Sequence, residues 1–289
     1  MSITYYSCEA ATAGPIRPGI PAAAPTIVLA HGAGADSALL SWRAVLPELA
    51  KAGYTAIAPD LPGYGASARV DQPYSLPFYS DFIRAFIKTL GPEQVVLGGL
   101  SLGGGITLKA AIDEPQLLSA IIPVDAWGLS NRLPFHRLTH WYVNSALNRQ
   151  GFAWTAKYPW IVRWSLGANL FGDKGKVTDE LVDEVLTSMR VPGSGEPFRS
   201  FQLAEITPTG ITNSLYDHMP DIALPTLLVH GSRDAAVPLK DAITAQPRFP
   251  NARLHIMEGC RHWPQKERPE EFASVVADFL KGALHTSGP

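Results

Sequence analysis

The chain has 289 residues, 46% hydrophobic and 17% charged, which suits one well-filled domain, with or without an insertion, and excludes a disordered polypeptide. A net charge of −2 offers no electrostatic attraction for nucleic acid or an anionic membrane, so neither partner is expected. Two cysteines far apart, Cys8 and Cys260, make no disulfide framework and suit a reducing cytoplasm, and the absence of a secretory leader or a run of about 18 apolar residues leaves a cytoplasmic protein as the expectation.

In chain order, residues Ile3–Ser7 read as an edge strand, followed by a loop containing Pro15, Pro18, Pro21 and Pro25. Thr26–Ala30 reads as a central strand running into His31-Gly32-Ala33-Gly34-Ala35-Asp36. From there to Val124, buried-strand and helix patterns alternate, which implies parallel βαβ units. Asp60, with Gly63 and Gly65, is expected to shape a turn. Val95-Val96-Leu97-Gly98 reads as a buried strand, and Leu102–Ala111 as the helix that follows it. Between them, Gly99-Leu100-Ser101-Leu102-Gly103 fits G-x-S-x-G. Glycines two before and two after the serine remove Cβ atoms that would collide in so sharp a strand-to-helix turn. The helix aims free N–H groups and its positive end at whatever Ser101 attacks.

Ala120–Val124 reads as another strand, ending at Asp125. The alternation then stops at about Trp127 and resumes at Pro225. The intervening stretch shows no buried strand and holds five of the seven tryptophans, Trp127, Trp141, Trp154, Trp160 and Trp164. Helical periodicity is expected over Leu138–Leu147 and Thr178–Met189, the second with Thr178 as N-cap. Pro225–Gly231 reads as a strand leading to Ser232-Arg233-Asp234. Ala252–Met257 reads as the last strand, followed by Glu258-Gly259-Cys260-Arg261-His262-Trp263-Pro264.

A serine hydroxyl is a poor nucleophile until a base takes its proton, and that base needs an orienting acid. Ser101, Asp234 and His262 each fall just past the carboxyl end of an expected strand, where open α/β sheets place their chemistry. His262 is the one histidine of eight in a loop after the last strand; His31 and His230 precede glycines at strand ends and are expected to be buried and hydrogen-bonded. An imidazole base works only when neutral, so the rate should fall on the acid side. The N–H groups of Ala33 and Leu102 are candidate oxyanion donors, with Gly34 as the alternative to Ala33. Cys260 reads as a packing residue. Scattered acids without a Cys-x-x-Cys make no metal cage, and the 98–105 run lacks the Lys-Ser/Thr of a phosphate loop and the spacing of a dinucleotide fingerprint. No metal and no cofactor is expected.

Four motifs occur together in order: His-Gly-x-Gly at 31–34, Asp60-Leu61-Pro62-Gly63-Tyr64-Gly65-Ala66-Ser67, the serine pentapeptide, and the Asp234/His262 pair. On these the chain resembles a capped serine hydrolase of the α/β-hydrolase superfamily over nearly its whole length. The resemblance implies a doubly wound, mostly parallel central sheet with an inserted helical cap, the core formed by residues 1–126 and 216–289 and the cap by 127–215. It implies a Ser101–His262–Asp234 triad acting through an acyl-enzyme, with Asp125 as the rival acid because some members place it there. The expected activity is carboxylesterase-like: hydrolysis of a carboxylic ester or lactone of a small to medium apolar or aromatic substrate, with Gly34, Trp127 and Trp263 at the binding site. The chain also resembles meta-cleavage-product C–C hydrolases in its His262-Trp263-Pro264-Gln265-Lys266-Glu267 run. It departs from them at Leu100, where they usually carry Asn, and at Val185, which stands where their lid Arg binds a carboxylate; Arg190 lies about a turn later. A small-molecule receptor retaining this fold is the alternative of another class.

Overall fold

The computed structural model describes residues 1–10 and 25–285; Pro15, Pro18 and Pro21 of the expected loop lie outside them. Seven strands form one sheet: β1 (Tyr5–Cys8), β2 (Thr26–Ala30), β3 (Ala56–Pro59), β4 (Val95–Leu100), β5 (Ala120–Val124), β6 (Thr226–Gly231) and β7 (Ala252–Met257). Their order is β1-β3-β2-β4-β5-β6-β7. All neighbours run parallel except β1, which pairs antiparallel with β3, Tyr5 opposite Pro59. The expected N-terminal edge strand is therefore present.

Strands β4, β5 and β6 are buried along their whole length. Their near-continuous apolar runs, where an exposed sheet would alternate, follow from helices covering both faces. On one side lie α1 (Ala38–Trp42), α2 (Val45–Lys51) and the C-terminal helix; on the other lie α3 (Leu76–Leu90) and α4 (Leu102–Asp113). Ser75 caps α3 by accepting from the Phe78 N–H, and Gly91 ends it in a left-handed conformation, φ 69°. From β2 the chain steps one way to β3, then returns to place β4 on the other side of β2. The loops after β2 and β4 thus splay apart, opening a crevice at the carboxyl ends of the strands.

Between β5 and β6 lie α5 (His136–Val143), α6 (Ala146–Thr155), α7 (Pro159–Ser165), α8 (Asp179–Arg190) and α9 (Glu196–Glu205). The one helix expected over Leu138–Leu147 is two. Asn144 Nδ2 donates to the His140 carbonyl at the end of α5, and Ser145 Oγ accepts from Asn148 N–H to start α6. These short polar side chains satisfy helix-end groups and so favour a break where apolar periodicity alone would continue. Thr178 caps α8 by accepting from Leu181 N–H at 3.2 Å. Two buried carboxylates tie this helical layer to the sheet domain. Glu267 accepts from Gly172 N–H (2.7 Å) and Asp173 N–H (2.9 Å), while Glu205 accepts from Leu76 N–H (2.8 Å) and the Asn213 amide (2.9 Å). The remaining helices are α10 (Leu239–Ala245), α11 (Pro264–Glu267) and α12 (Pro269–His285). Among the described residues, no helix is long and apolar enough to cross a membrane.

Candidate active site

Ser101 sits between β4 and α4 with φ 53° and ψ −110°, a conformation that L-residues rarely adopt. Such strain costs on the order of 1–3 kcal/mol and persists only where neighbours over-determine it. Here they do: Ser101 N–H donates to the Val124 carbonyl (2.9 Å), and its own carbonyl accepts from Gly105 (3.0 Å) and Trp127 (2.9 Å). A Cβ on Gly103 would come within 2.2 Å of the Ala30 carbonyl oxygen, and one on Gly99 within 2.3 Å of Gly103. The two flanking glycines let helix, strand and neighbouring strand approach until the turn closes.

The loop after β2 lies against this turn, so that a Cβ on Gly32 would be 3.6 Å from that of Ser101. Asp36, which the sequence reading gave no role, holds the loop. Its carboxylate accepts from Gly32 N–H (2.8 Å), Ser37 N–H (2.8 Å) and Ser41 Oγ–H (2.6 Å). Gly32 N–H is therefore occupied. The Ala33 and Gly34 N–H groups remain as candidate loop donors, opposite the first turn of α4, where the Leu102 N–H has no partner within its helix. His31 is buried, its Nδ1–H donating to Gly32 O (2.7 Å) and its Nε2 accepting from Leu61 N–H (3.0 Å).

Asp234 and His262 meet from separate loops: His262 Nδ1 lies 2.7 Å from Asp234 Oδ2, both residues buried. The other Asp234 oxygen accepts from Ala236 N–H (2.7 Å) and Val237 N–H (3.2 Å). This backbone turn aims Oδ2 at the imidazole and fixes the tautomer with the proton on Nδ1, leaving Nε2 as the basic atom. Asp125 stands behind the pair, wholly buried at φ 41°, its Oδ1 accepting from Gly231 N–H at 2.9 Å and lying 3.2 Å from His230 Nε2. Burial, then the charge of Asp234, pushes the Asp125 carboxyl well above the usual range. At Asp234 burial also acts to raise the pKa, but the His262 charge and hydrogen bond outweigh it and leave the carboxyl below the usual range. The two acids are thus pushed in opposite directions, Asp234, bonded to the imidazole, downward and Asp125 behind it upward. Donor atoms of Asp125, Asp234 and His262 fall within 4.8 Å of one another, but Asp234 Oδ2 and His262 Nδ1 are engaged with each other.

The sequence reading finds no metal spacing, although His136 and His140 lie four apart on α5. His136 is committed to the backbone, Nδ1 accepting from Leu133 N–H (3.3 Å) and Nε2–H donating to Thr207 O (2.8 Å). Cys260 is fully buried, and burial pushes its thiol up to about 12. With thiolate so scarce, Cys260 is expected to resist iodoacetamide in mildly alkaline buffer until the protein unfolds. Peptide mapping before and after denaturant checks this, and native-state labelling at Cys260 contradicts the packing role.

Ser101 and His262 line one cavity of about 570 Å³, together with Ala33, Gly34, Leu102, Trp127 and Trp263. Trp127 stacks edge-on against Phe201 (5.3 Å) and Trp263 against Phe171 (5.9 Å), so both indoles are anchored from behind. Helices α5–α9 supply the opposite wall with Tyr142, Phe152, Val185 and Met189. Among the described residues, no Lys, Arg, Asp or Glu lines it. Arg190 points away from it, into an adjoining outer recess of about 490 Å³, with Nε–H 3.3 Å from the Ala156 carbonyl.

Comparison with known proteins gives the family and the fold. The model of the Alpha/beta hydrolase family matches residues 27–275. Two proteins named 2-hydroxymuconate semialdehyde hydrolase are similar along most of the chain. The one from Pseudomonas sp. (strain CF600) is 31% identical, over 89% of this chain and 87% of its own. The one from Pseudomonas putida is 32% identical, over 80% and 79%. Among solved structures, a meta-cleavage product hydrolase from Pseudomonas fluorescens IP01 superposes with a TM-score of 0.77 at 24% identity, covering 97% of this chain and 94% of that one. A thermophilic esterase from Thermogutta terrifontis gives 0.76 at 19% identity, covering 97% and 93%. Two reaction types thus lie at nearly equal structural distance, and the fold does not choose between them.

Proposed function

The chain belongs to the α/β-hydrolase family, and from that premise we propose that it is a serine hydrolase acting on a neutral carboxylic ester or lactone with an apolar or aromatic acyl group. Residues 127–215 serve as its cap, over a core of 1–126 and 216–289. His262 Nε2 takes the Ser101 proton as Oγ attacks the carbonyl carbon, and Asp234 stabilises the imidazolium that forms. The Ala33 and Leu102 N–H groups receive the developing oxyanion, each such donor contributing about 3 kcal/mol of transition-state stabilisation. The imidazolium protonates the departing alkoxide, leaving Ser101 acylated. Water, deprotonated by His262, then attacks the ester carbon, and the acid leaves as Oγ recovers its proton. Gly34, Trp127 and Trp263 contact the substrate.

The observation that carries this reading is that, among the described residues, no cationic side chain of Lys or Arg lines the cavity beside Ser101. A carboxylate placed there would lose its hydration and gain no ionic partner, at a cost of several kcal/mol. C–C hydrolysis is the second reading, favoured by the two Pseudomonas relatives. A further relative from Pseudomonas putida is named for a heptadienoate, an anion. Here Val185 lines the cavity and Arg190 lies outside it, so the site is matched to uncharged substrates.

The test is a direct competition of substrates. Turnover of p-nitrophenyl acetate, butyrate and octanoate is expected, with kcat/KM rising with acyl length until the cavity fills. A 2-hydroxy-6-oxo-dienoate is expected to be at least about tenfold poorer, the effect of 1.4 kcal/mol. Preference for the dienoate over every ester assigns the protein to C–C cleavage instead. Binding of either substrate class followed by no more than one turnover per chain would identify a receptor.

A further inference from the structure

The outward face of the cap helices is unlike the rest of the surface. Trp141 on α5, Trp154 on α6, and Trp160 and Trp164 on α7 are 52% to 68% exposed, and Leu138 and Leu147 are exposed as well. The i, i+3 and i, i+4 spacings place Leu138 with Trp141, and Trp160 with Trp164, on single helix faces. The cavity-lining residues Thr139 on α5 and Val162 and Ser165 on α7 lie on the opposite sides of the same helices. Helices α5 and α7 thus each turn one side to the catalytic cavity and an apolar side to the outside. Exposed tryptophans on three consecutive helices mark a surface with a further partner, because apolar side chains exposed singly are normal whereas whole helix faces are not.

The charge around these helices identifies the partner. From Ala126 to Gly172 the sequence has no Asp or Glu, yet it carries Arg132, Arg137, Arg149, Lys157 and Arg163. Arg163 pairs with Asp179; Arg137, Arg149 and Lys157 have no ion pair among the described residues and are exposed. The overall charge of −2 conceals this local excess, and the expectation of no membrane partner rested on that total. Symmetric pairing of two copies through this face would set cations against cations. An anionic lipid surface offers negative charge to the cations and a headgroup layer in which indole rings insert.

We propose that the outer face of α5–α7 docks the protein on anionic lipid bilayers, with the cap lying against the headgroups and the catalytic cavity directly behind it. The proposal concerns the surface alone and stands whichever reaction the cavity performs. It extends the family reading by placing entry of apolar substrates on the membrane side.

The test is flotation of the full chain with phosphatidylcholine vesicles, with and without phosphatidylglycerol. Binding is expected only when phosphatidylglycerol is present, weakening as salt is added. Trp141→Ser with Trp160→Ser and Trp164→Ser is expected to weaken it by at least about tenfold. A second variant, Arg137→Ser with Arg149→Ser and Lys157→Ser, is expected to lower it roughly fivefold per cation removed. Far-UV circular dichroism and thermal unfolding establish that each variant is folded, and the charge variant keeps the test open if the tryptophan variant is not. No binding to phosphatidylglycerol vesicles overturns the proposal. So does a dimer seen by light scattering that the tryptophan substitutions dissociate, because the face would then join two copies of the chain.

Discussion

Ser101→Ala is expected to lower kcat by roughly a millionfold, the size of loss seen when a triad nucleophile is removed. The protein should otherwise be unchanged, for a structural reason. The turn at residue 101 is held by its backbone, through the bonds to Val124, Gly105 and Trp127, and by the close approach that Gly99 and Gly103 permit. No hydrogen bond of the serine hydroxyl contributes to that hold among those described, so alanine leaves the elbow intact. Steady-state turnover of p-nitrophenyl butyrate beside thermal unfolding checks both halves. A folded Ser101→Ala protein that keeps more than a few per cent of activity would remove Ser101 from the chemistry.

Exchanging the two buried acids for amides should separate their roles. Asp234→Asn is expected to cost about ten-thousandfold in kcat, because the amide presents the imidazole with the wrong pattern of donor and acceptor and cannot stabilise its cation. Asp125→Asn should stay within roughly tenfold of the parent, since an amide has nearly the same shape and keeps an oxygen to accept from Gly231 N–H. Asparagine also tolerates the positive φ of 41° at this position. Loss at Asp125 with activity retained at Asp234 would reverse the assignment. The low Asp234 pKa has a consequence for stability. The folded state holds this carboxylate more tightly than the unfolded chain does, so its contribution is present above the unfolded pKa and is lost as pH falls through the lower, folded value.

The parts of the site that were legible in the sequence are those written locally. The strand before Ser101, the paired glycines and the helix behind it are contiguous, and Thr178 announces α8 by standing before an apolar period. Asp234 could be placed because it follows the buried run Thr226–Val229, and His262 because it stands in the loop after the last strand pattern, Ala252–Met257. The choice between Asp234 and Asp125 depended on which carboxylate the turn at Ala236 and Val237 directs at the imidazole, a matter of three-dimensional aim.

What stayed hidden depends on partners far away in the chain. Glu205 reads as an ordinary acidic residue, and Glu267 only as the end of a motif, until the backbone N–H groups of Leu76 and Gly172 are seen to lie on them. Asp36 was the exception that could have been found, because an acid four residues after a strand-end glycine can fold back on that glycine's N–H. The break at Asn144 and Ser145 was missed because apolar periodicity ignores side chains that bond helix ends. The cationic, tryptophan-rich face escaped because net charge was summed over the whole chain.

The central claim is that Ser101 becomes acylated. Mixing the protein with p-nitrophenyl butyrate, quenching in acid within milliseconds and measuring the intact mass tests it most directly. The account predicts a butyryl adduct that maps to the peptide containing Ser101 and decays at the rate of turnover. Steady turnover with no adduct on that peptide, under conditions where deacylation limits the rate, would contradict it.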